Sequence, residues 1–357
     1  MHSYEYLFTA VIIFAILTAS AILVSRMPQP SLNVSEKEQL KTAAQKIMTQ
    51  LTLNPGNPPD WGGNLTVDST DLTAFGLAKY GEITRGAYIL DPDKVQRLNE
   101  NMPQNLYIPP DRVIELLNLG REYGIKLEFI PALIVTVTTE TNPNSITVYV
   151  NVTSDRNMWP IANANVTARI FYLYNQQINK TPIITNSTDI NGQCIITFNG
   201  VSSEDALLAL VVDHYGIHVV KTYALNGALT QAFFLGNHLI LNASLSIISN
   251  TAYQIIIAES DETYVIDYAL CGLNLTDSLS DPSYSLYEIN YTEPSAVALL
   301  AVVEGEPNLA VACKNVPSCY SSISGEASSP FIYMLERSVE IGGSSYTLRL
   351  KIWRMSW

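Results

Sequence analysis

The chain has 357 residues, 47% of them hydrophobic and 15% charged, which supplies enough apolar surface for packed cores and excludes a disordered polymer. Asp and Glu number 33 against 20 Lys and Arg, for a net charge of −13. No basic stripe interrupts that excess, so a nucleic-acid partner is excluded, because phosphate contacts need clustered cations.

The first element carries no charge. Tyr6 to Ser25 reads YLFTAVIIFAILTASAILVS, with Glu5 before it and Arg26 after it. Twenty residues of helix at ~1.5 Å each reach ~30 Å, the thickness of a bilayer's hydrocarbon. A cleaved signal peptide has a basic start and a shorter apolar core. The run is therefore read as a retained transmembrane anchor whose partner is the lipid bilayer. Arg26, Lys37 and Lys41 follow the helix and, by the positive-inside rule, argue for a cytoplasmic body. The sequons and cysteines described below argue for an extracellular one, which is the orientation adopted.

A second helix is expected over 31–53. Ser35 and Glu38 have capping-box spacing, and Leu40, Ala44, Ile47 and Leu51 recur at helical intervals. Asn54-Pro55-Gly56 ends it. Residues 54–130 read as a small α/β segment, with short helices at Asp91–Leu98 and Pro110–Tyr123 and a strand from Ile125 to Val137. Residues 131–225 read as one immunoglobulin-type sandwich. ITVYVNVT (146–153), NVTARIFYLY (165–174), CIITF (194–198) and ALLALVV (206–212) are its strands, and Asp189-Ile190-Asn191-Gly192 is a tight turn. Residues 226–357 form a further β-rich domain, with HLILNASLSII, YQIIIAESDETYVIDYAL, AVALLAVVEG and SYTLRLKIW as strands. Hairpin turns are expected at Glu259–Glu262 and Gly342-Gly343. The fold class is thus mainly β behind an anchor in residues 1–30: a sandwich plus a second, α+β domain.

Asn-x-Ser/Thr sequons occur at Asn33, Asn64, Asn151, Asn165, Asn179, Asn186, Asn242, Asn274 and Asn290, all after the apolar run, and make these the candidate glycosylation sites of an exported surface. Of the four cysteines, Cys313 and Cys319 bracket a short loop and are candidates for a local disulfide. Cys194 and Cys271 then remain for a long-range bridge. No pair has CxxC spacing, and three connectivities stay open.

Catalytic signatures are missing: no HExxH, GxSxG, P-loop or GxGxxG occurs, so no catalytic residue and no cofactor is assigned. Asp213, His214 and His218 are close enough in sequence to be considered as metal ligands, with the two histidines expected on one face. Asp189 and Asn191, or Glu259, Asp261 and Glu262, are the comparable oxygen groups, without the twelve-residue loop of an EF-hand. Solvated turns account for all of them, and no metal is assigned.

Two patterns resemble known families. WPIANANVTARI (159–170) followed by TDINGQCIITF (188–198) resembles the bacterial and archaeal Ig-like and carboxypeptidase-regulatory-like modules of surface proteins. The apolar N-terminus, LTLNPGNPPDW (51–61), NLGREYGIKLEF (118–129) and SVEIGGSSYTLRLKIW (338–353) together look like archaeal pilin-like envelope proteins. Glu5 ahead of the apolar helix is similar to type IV pilins and is the candidate helix-assembly residue, although no basic leader ending in Gly or Ala precedes the helix.

The second resemblance implies that 54–130 and 226–357 form one body, with the sandwich inserted between them and displayed away from the membrane. It also implies self-association or other envelope proteins as partners. The expected function is that of a non-enzymatic, membrane-anchored structural or adhesive envelope protein. A pilin-like filament or secretion subunit is the alternative, and an extracellular hydrolase with an Ig-like accessory module is a third.

Overall fold

The computed structural model describes residues 12–18, 30–81, 88–103, 105–120, 122–155, 158–201, 206–225, 232–258, 264–271, 273–275, 283–289, 296–304, 308–321 and 331–355. The chain falls into two compact units, Met1–Ala43 and Ala44–Trp357. Its described residues are mainly β, arranged in several sheets.

In the first unit, residues 12–18 form helix α1. The rest of the anchor expected over 6–25 lies outside the described residues, as do Glu5 and the 259–262 hairpin tip. Among the described residues no helix is long and apolar enough to cross a membrane. Helix α2 spans Pro30–Leu53. It starts five residues before Ser35, so Ser35 lies within the helix and does not cap it. Proline suits a first helical position, since it has no N–H to leave unsatisfied there.

The second unit is built around α2's last turns, where Ala44, Ile47, Met48 and Leu51 are all buried. Two short helices follow, α3 (Pro92–Gln96) and α4 (Pro110–Leu116). Asp91 caps α3 by accepting from the Asp93 N–H. The expected helix to Tyr123 stops earlier, because Asn118 and Gly120 take positive φ and turn the chain into a strand. The single strand expected over Ile125–Val137 is two strands in different sheets, Tyr123–Pro131 and Leu133–Asn142.

Sheet 1 joins both ends of this unit. Its order is Ile89–Leu90, Ile332–Ile341, Ser344–Arg354, Tyr123–Pro131 and Cys319–Ser321. The Gly342-Gly343 hairpin is present, with both glycines at positive φ as a two-residue turn of this hand requires. Sheet 2 holds Leu133–Asn142, Ser145–Ser154 and Gln193–Asn199. Sheet 3 holds Ile217–Leu225, Ala206–His214, Asn165–Tyr174 and Gln177–Lys180, with Ile184–Ser187 also paired to Asn165–Tyr174. Sheet 4 holds Tyr264–Cys271, Ser246–Ala258, Ala296–Glu304 and Leu309–Cys313. Sheet 5 holds Phe233–Leu235, His238–Asn242, Tyr284–Ile289 and Leu273–Leu275.

Sheets 2 to 5 stack through successive cores, and strand parity shows how. In Ala206–His214, Leu208, Leu210 and Val212 face sheet 2 in one core with Ile146, Val148 and Val150. The alternate residues Leu207, Ala209 and Val211 face sheet 4 in another core with Ala298, Leu300 and Val311. Ala296–Glu304 repeats the pattern, sending Leu299, Ala301 and Val303 toward Leu239 and Leu241 of sheet 5. Both strands are near-continuous apolar runs because both faces are buried, whereas a strand with one wet face alternates. Sheets 2 and 3 therefore share a core, and the far face of sheet 3 is covered by sheet 4. Beyond sheet 5, Met102 and Leu106 close a last core against Leu235, Ile240 and Leu286.

Candidate functional site

The connections at one end of sheets 2 and 3 make the most exposed apolar surface of this region. Asn165 pairs with both Ser187 and Asp213, Asn151 with Gln193, and Leu133 with Ser154. That register brings residues 158–164, 188–192 and 215–216 to a common end. Trp159 is 69% exposed there, Ile190 84% and Tyr215 91%, and Met158 is exposed as well.

These side chains stand on a braced platform. Buried Thr188 donates its hydroxyl to Ile161 O at 2.7 Å and accepts from Ala164 N at 2.9 Å, while its backbone pairs with Asn163 and Ala164. Asp189 Oδ1 accepts from Gln193 N at 2.8 Å and Asn191 N at 2.9 Å, closing the turn under Ile190. The Gln193 N–H, aided by Asn191, holds the Asp189 carboxyl below its usual range, so it stays ionised. Gly192 supplies the positive φ, and a Cβ there would collide with Val152 O. Ser154 and Trp159 exchange two bonds, Ser154 N to Trp159 O at 2.8 Å and Trp159 N to Ser154 Oγ at 3.2 Å.

Two of the exposed residues sit in backbone that suits them poorly. Tyr215 and Gly216 make a two-residue turn with φ of 51° and 82°, and Met158 has a φ of 54°. The left-handed region costs an ordinary L-residue about 1–2 kcal/mol and is visited cheaply by Gly and Asn. Bulky, exposed side chains held in strained backbone are a feature of contact surfaces more than of packing.

The candidate metal ligands distribute differently from the sequence expectation. His218 pairs with Asp213 and its Nδ1 lies 2.9 Å from Asp213 Oδ2, whereas His214 pairs with Ile217. Directly opposed residues share a face and neighbours alternate, so the two-residue turn puts His214 and His218 on opposite faces. The His214 ring instead meets Tyr215 edge-on, 4.5 Å between centroids. Among the described residues no three His, Cys, Asp or Glu gather as a metal site.

Of the sequons, Asn165, Asn186 and Asn242 are exposed, while Asn64, Asn151 and Asn179 are half-buried. Asn33 lies in α2 and Asn274 in a strand, with side chains outside the described set, and Asn290 lies outside the described residues altogether. Several sequon hydroxyls have structural work of their own. Thr181 Oγ1 accepts from Ile170 N, Thr188 braces the loop end, and Thr66 bonds back to Asn64. Cys194 and Cys313 carry thiols without a disulfide, so neither the Cys313–Cys319 nor the Cys194–Cys271 bridge is formed. Both thiols are pushed up by burial, and for Cys313 a hydrogen bond from Thr222 works in the opposite direction. The Cys271 side chain lies outside the described set.

Sequence reasoning missed a second charged feature, a buried cationic node. Lys94 and Arg97 are both fully buried. Lys94 Nζ donates to Pro55 O and Ala78 O, each at 2.9 Å. The Arg97 guanidinium donates to Val67 O, Leu106 O and Trp61 O and lies 5.5 Å from the Trp61 ring centroid. Burial lowers both cations, Arg97 to about 10. Lys314 Nζ lies 3.2 Å from both Asp93 carboxylate oxygens, and Gln96 bridges Phe234 O and Asn315 N. The Lys94 and Arg97 donors above end on backbone carbonyls within 54–110, while the Lys314–Asp93 pair and Gln96 tie those turns to residues 234 and 314–315. The cleft beside it is lined by Asp60, Asn64, Thr66, Asn237 and His238, with Asp60 the one carboxylate among its lining residues. The paired carboxylates of a glycoside hydrolase are not assembled there.

Compared with known proteins, the chain matches no family model and no curated relative.

Proposed function

We propose that this chain is a membrane-anchored envelope protein whose layered β body is displayed outside the cell and makes contact through the loop end of sheets 2 and 3. The observation that carries the anchor is α1. Ile12, Ile13, Phe14, Ile16 and Leu17 are all exposed, and at 100° per residue they cover a face of about 200°, with Ala15 and Thr18 on the remainder. So broad an exposed apolar face needs an apolar solvent or other helices. The Thr18 hydroxyl returns to its own helix, 2.7 Å from Phe14 O and 3.0 Å from Ala15 O, which is how a hydroxyl is satisfied within lipid.

The Ig-like identity rests on the shared core of sheets 2 and 3 and on the braced Thr188–Gly192 turn of the TDING motif. A contact role rests on the exposed, strained loop end. The filament reading is the alternative, since α1 could pack against α1 of other copies, with Ala15 as the small residue at the seam.

Alkaline washing of membranes tests the anchor. The full chain stays in the pellet, and Ile13→Arg with Ile16→Arg releases it, because each charge at mid-helix disfavours insertion by about 2.5–3.5 kcal/mol. A wild-type chain washed off with the peripheral proteins would refute the proposal.

A further inference from the structure

We infer that Asn151 carries an N-linked glycan whose first sugars lie along the open face of sheet 2, packed on Tyr149 and Ile195. Ile146, Val148, Val150 and Val152 face the core shared with sheet 3, so Thr147, Tyr149 and Asn151 point the other way. Thr136 and Thr138 flank Asn151 and Tyr149 on one side, and Gln193 and Ile195 on the other. Together they line a hollow of about 280 Å³, and every residue lining it belongs to sheet 2. One water needs only ~10–15 Å³ of such space.

The lining selects the occupant. Its outward side chains are hydroxyls, amides, one phenol and one isoleucine, and none of the lining residues is charged. Ile195 sits directly opposite Tyr149 and is 56% exposed. The wet face of a sheet calls for polar residues, so an apolar pair there fits the C–H face of a sugar ring, whose rim hydroxyls meet the Thr and Gln side chains. The Tyr149 hydroxyl donates to Glu140 Oε2 at 2.9 Å, which fixes the ring.

Asn151-Val152-Thr153 places the sugar at this spot, with Tyr149 ~7 Å away on the same face. Asn64, Asn179 and Asn186 donate their side-chain nitrogens to Asp60, to the Tyr174 and Gln177 carbonyls, and to Ile195 O. Among the described residues the Asn151 nitrogen makes no hydrogen bond. In the transfer that nitrogen bonds the anomeric carbon of a diphosphate-activated sugar. The diphosphate leaves with the electron pair of its C–O bond, and the transferase takes one proton from the nitrogen. Asn151 lies in the central strand of sheet 2, so the sugar is added before the sheet closes.

The inference rests on the proposed surface display, yet the two fail separately. Glycopeptide mass spectrometry of the full chain from its own membranes reads each sequon, and a glycan on Asn151 is expected. A bare Asn151 among occupied sequons overturns the inference and leaves display standing, and a chain bare at every sequon overturns it whatever protease reads on intact cells. Melting in detergent tests the bed. Asn151→Gln lowers the melting temperature of the glycosylated chain by ~2–4 °C and does not lower it in a chain made by a host that adds no sugar. Tyr149→Thr abolishes that loss, whereas Tyr149→Phe, which keeps the ring, preserves it. No loss in the glycosylated chain, an equal loss in the sugar-free one, or a loss untouched by Tyr149→Thr overturns the inference.

Discussion

Gly124 lies directly opposite Trp353 in the pairing of strands Tyr123–Pro131 and Ser344–Arg354, and the indole fills the space that a side chain at 124 would occupy. Trp353 is fully buried. The missing Cβ is what lets a bulky ring lie across its neighbouring strand, so one glycine and one tryptophan, far apart in sequence, fix the register of sheet 1. Gly124→Ala is expected to destabilise the body by about 1–3 kcal/mol through overpacking. Denaturant unfolding of the full chain in detergent measures this, and a neutral result would mean that the ring has room to move.

Arg97 makes a harsher prediction. Its guanidinium serves carbonyls of Trp61, Val67 and Leu106 that have no access to water once the site is closed. Arg97→Met leaves those acceptors unsatisfied, at about 1–3 kcal/mol each. Arg97→Lys does not restore them, because one ammonium cannot copy the planar fork. Loss of the folded body in both variants is the expected outcome, and a stable Arg97→Lys protein would contradict the account of the node.

Glu128 links pH to stability. Burial alone would raise its carboxyl, but hydrogen bonds from Lys351, Lys126 and Arg349 outweigh burial and hold it below the ordinary 4.5. A carboxyl lowered on folding contributes stability that is fully present above its unfolded value and is lost as pH falls through the folded value. Glu128→Gln should therefore be less stable than wild type at neutral pH and equal to it in strong acid. Melting temperature followed from pH 7 downward gives the comparison, and a constant gap between the two curves would refute it.

Thr188 allows sugar and structure to be told apart. Thr188→Val removes both the loop brace and the Asn186 sequon, Asn186→Gln removes the sequon and the exposed bond from Asn186 Nδ2 to Ile195 O but keeps the brace, and Thr188→Ser keeps both brace and sequon. Only the first should lower stability markedly, by about 1–3 kcal/mol for the buried groups left unpaired. Circular dichroism melts of the three variants decide it.

Tyr215→Asn is expected to stabilise the hairpin by up to about 1 kcal/mol, since Asn tolerates the left-handed region. The same melts read the shift, and a clear loss of stability would remove the case for strain at this turn.

Much of the architecture was legible in the residues. ALLALVV and AVALLAVV are runs without alternation, and they became the two strands buried on both faces. The TDING motif gave the turn, and NPGNPP gave the end of α2. What the sequence hid was long-range. DPDKVQRL has the charge of a solvent-facing helix, and only the closure of Trp61 and the 54–78 turns over it buries Lys94 and Arg97. His214 and His218 have helical-looking spacing, and a two-residue turn put them on opposite faces. The loop end was invisible because Trp159, Ile190 and Tyr215 lie far apart in the chain and converge only through the pairing of Asn165 with both Ser187 and Asp213.

Protease treatment of intact cells, read alongside a mobility shift on deglycosylation, tests the central claim most directly. The account predicts that the body from about residue 44 onward is digested from outside, leaving a membrane-held N-terminal fragment, and that mass is lost on deglycosylation. A body protected until the membrane is broken, with no mobility shift, would contradict it and leave Arg26, Lys37 and Lys41 as the correct guide to orientation.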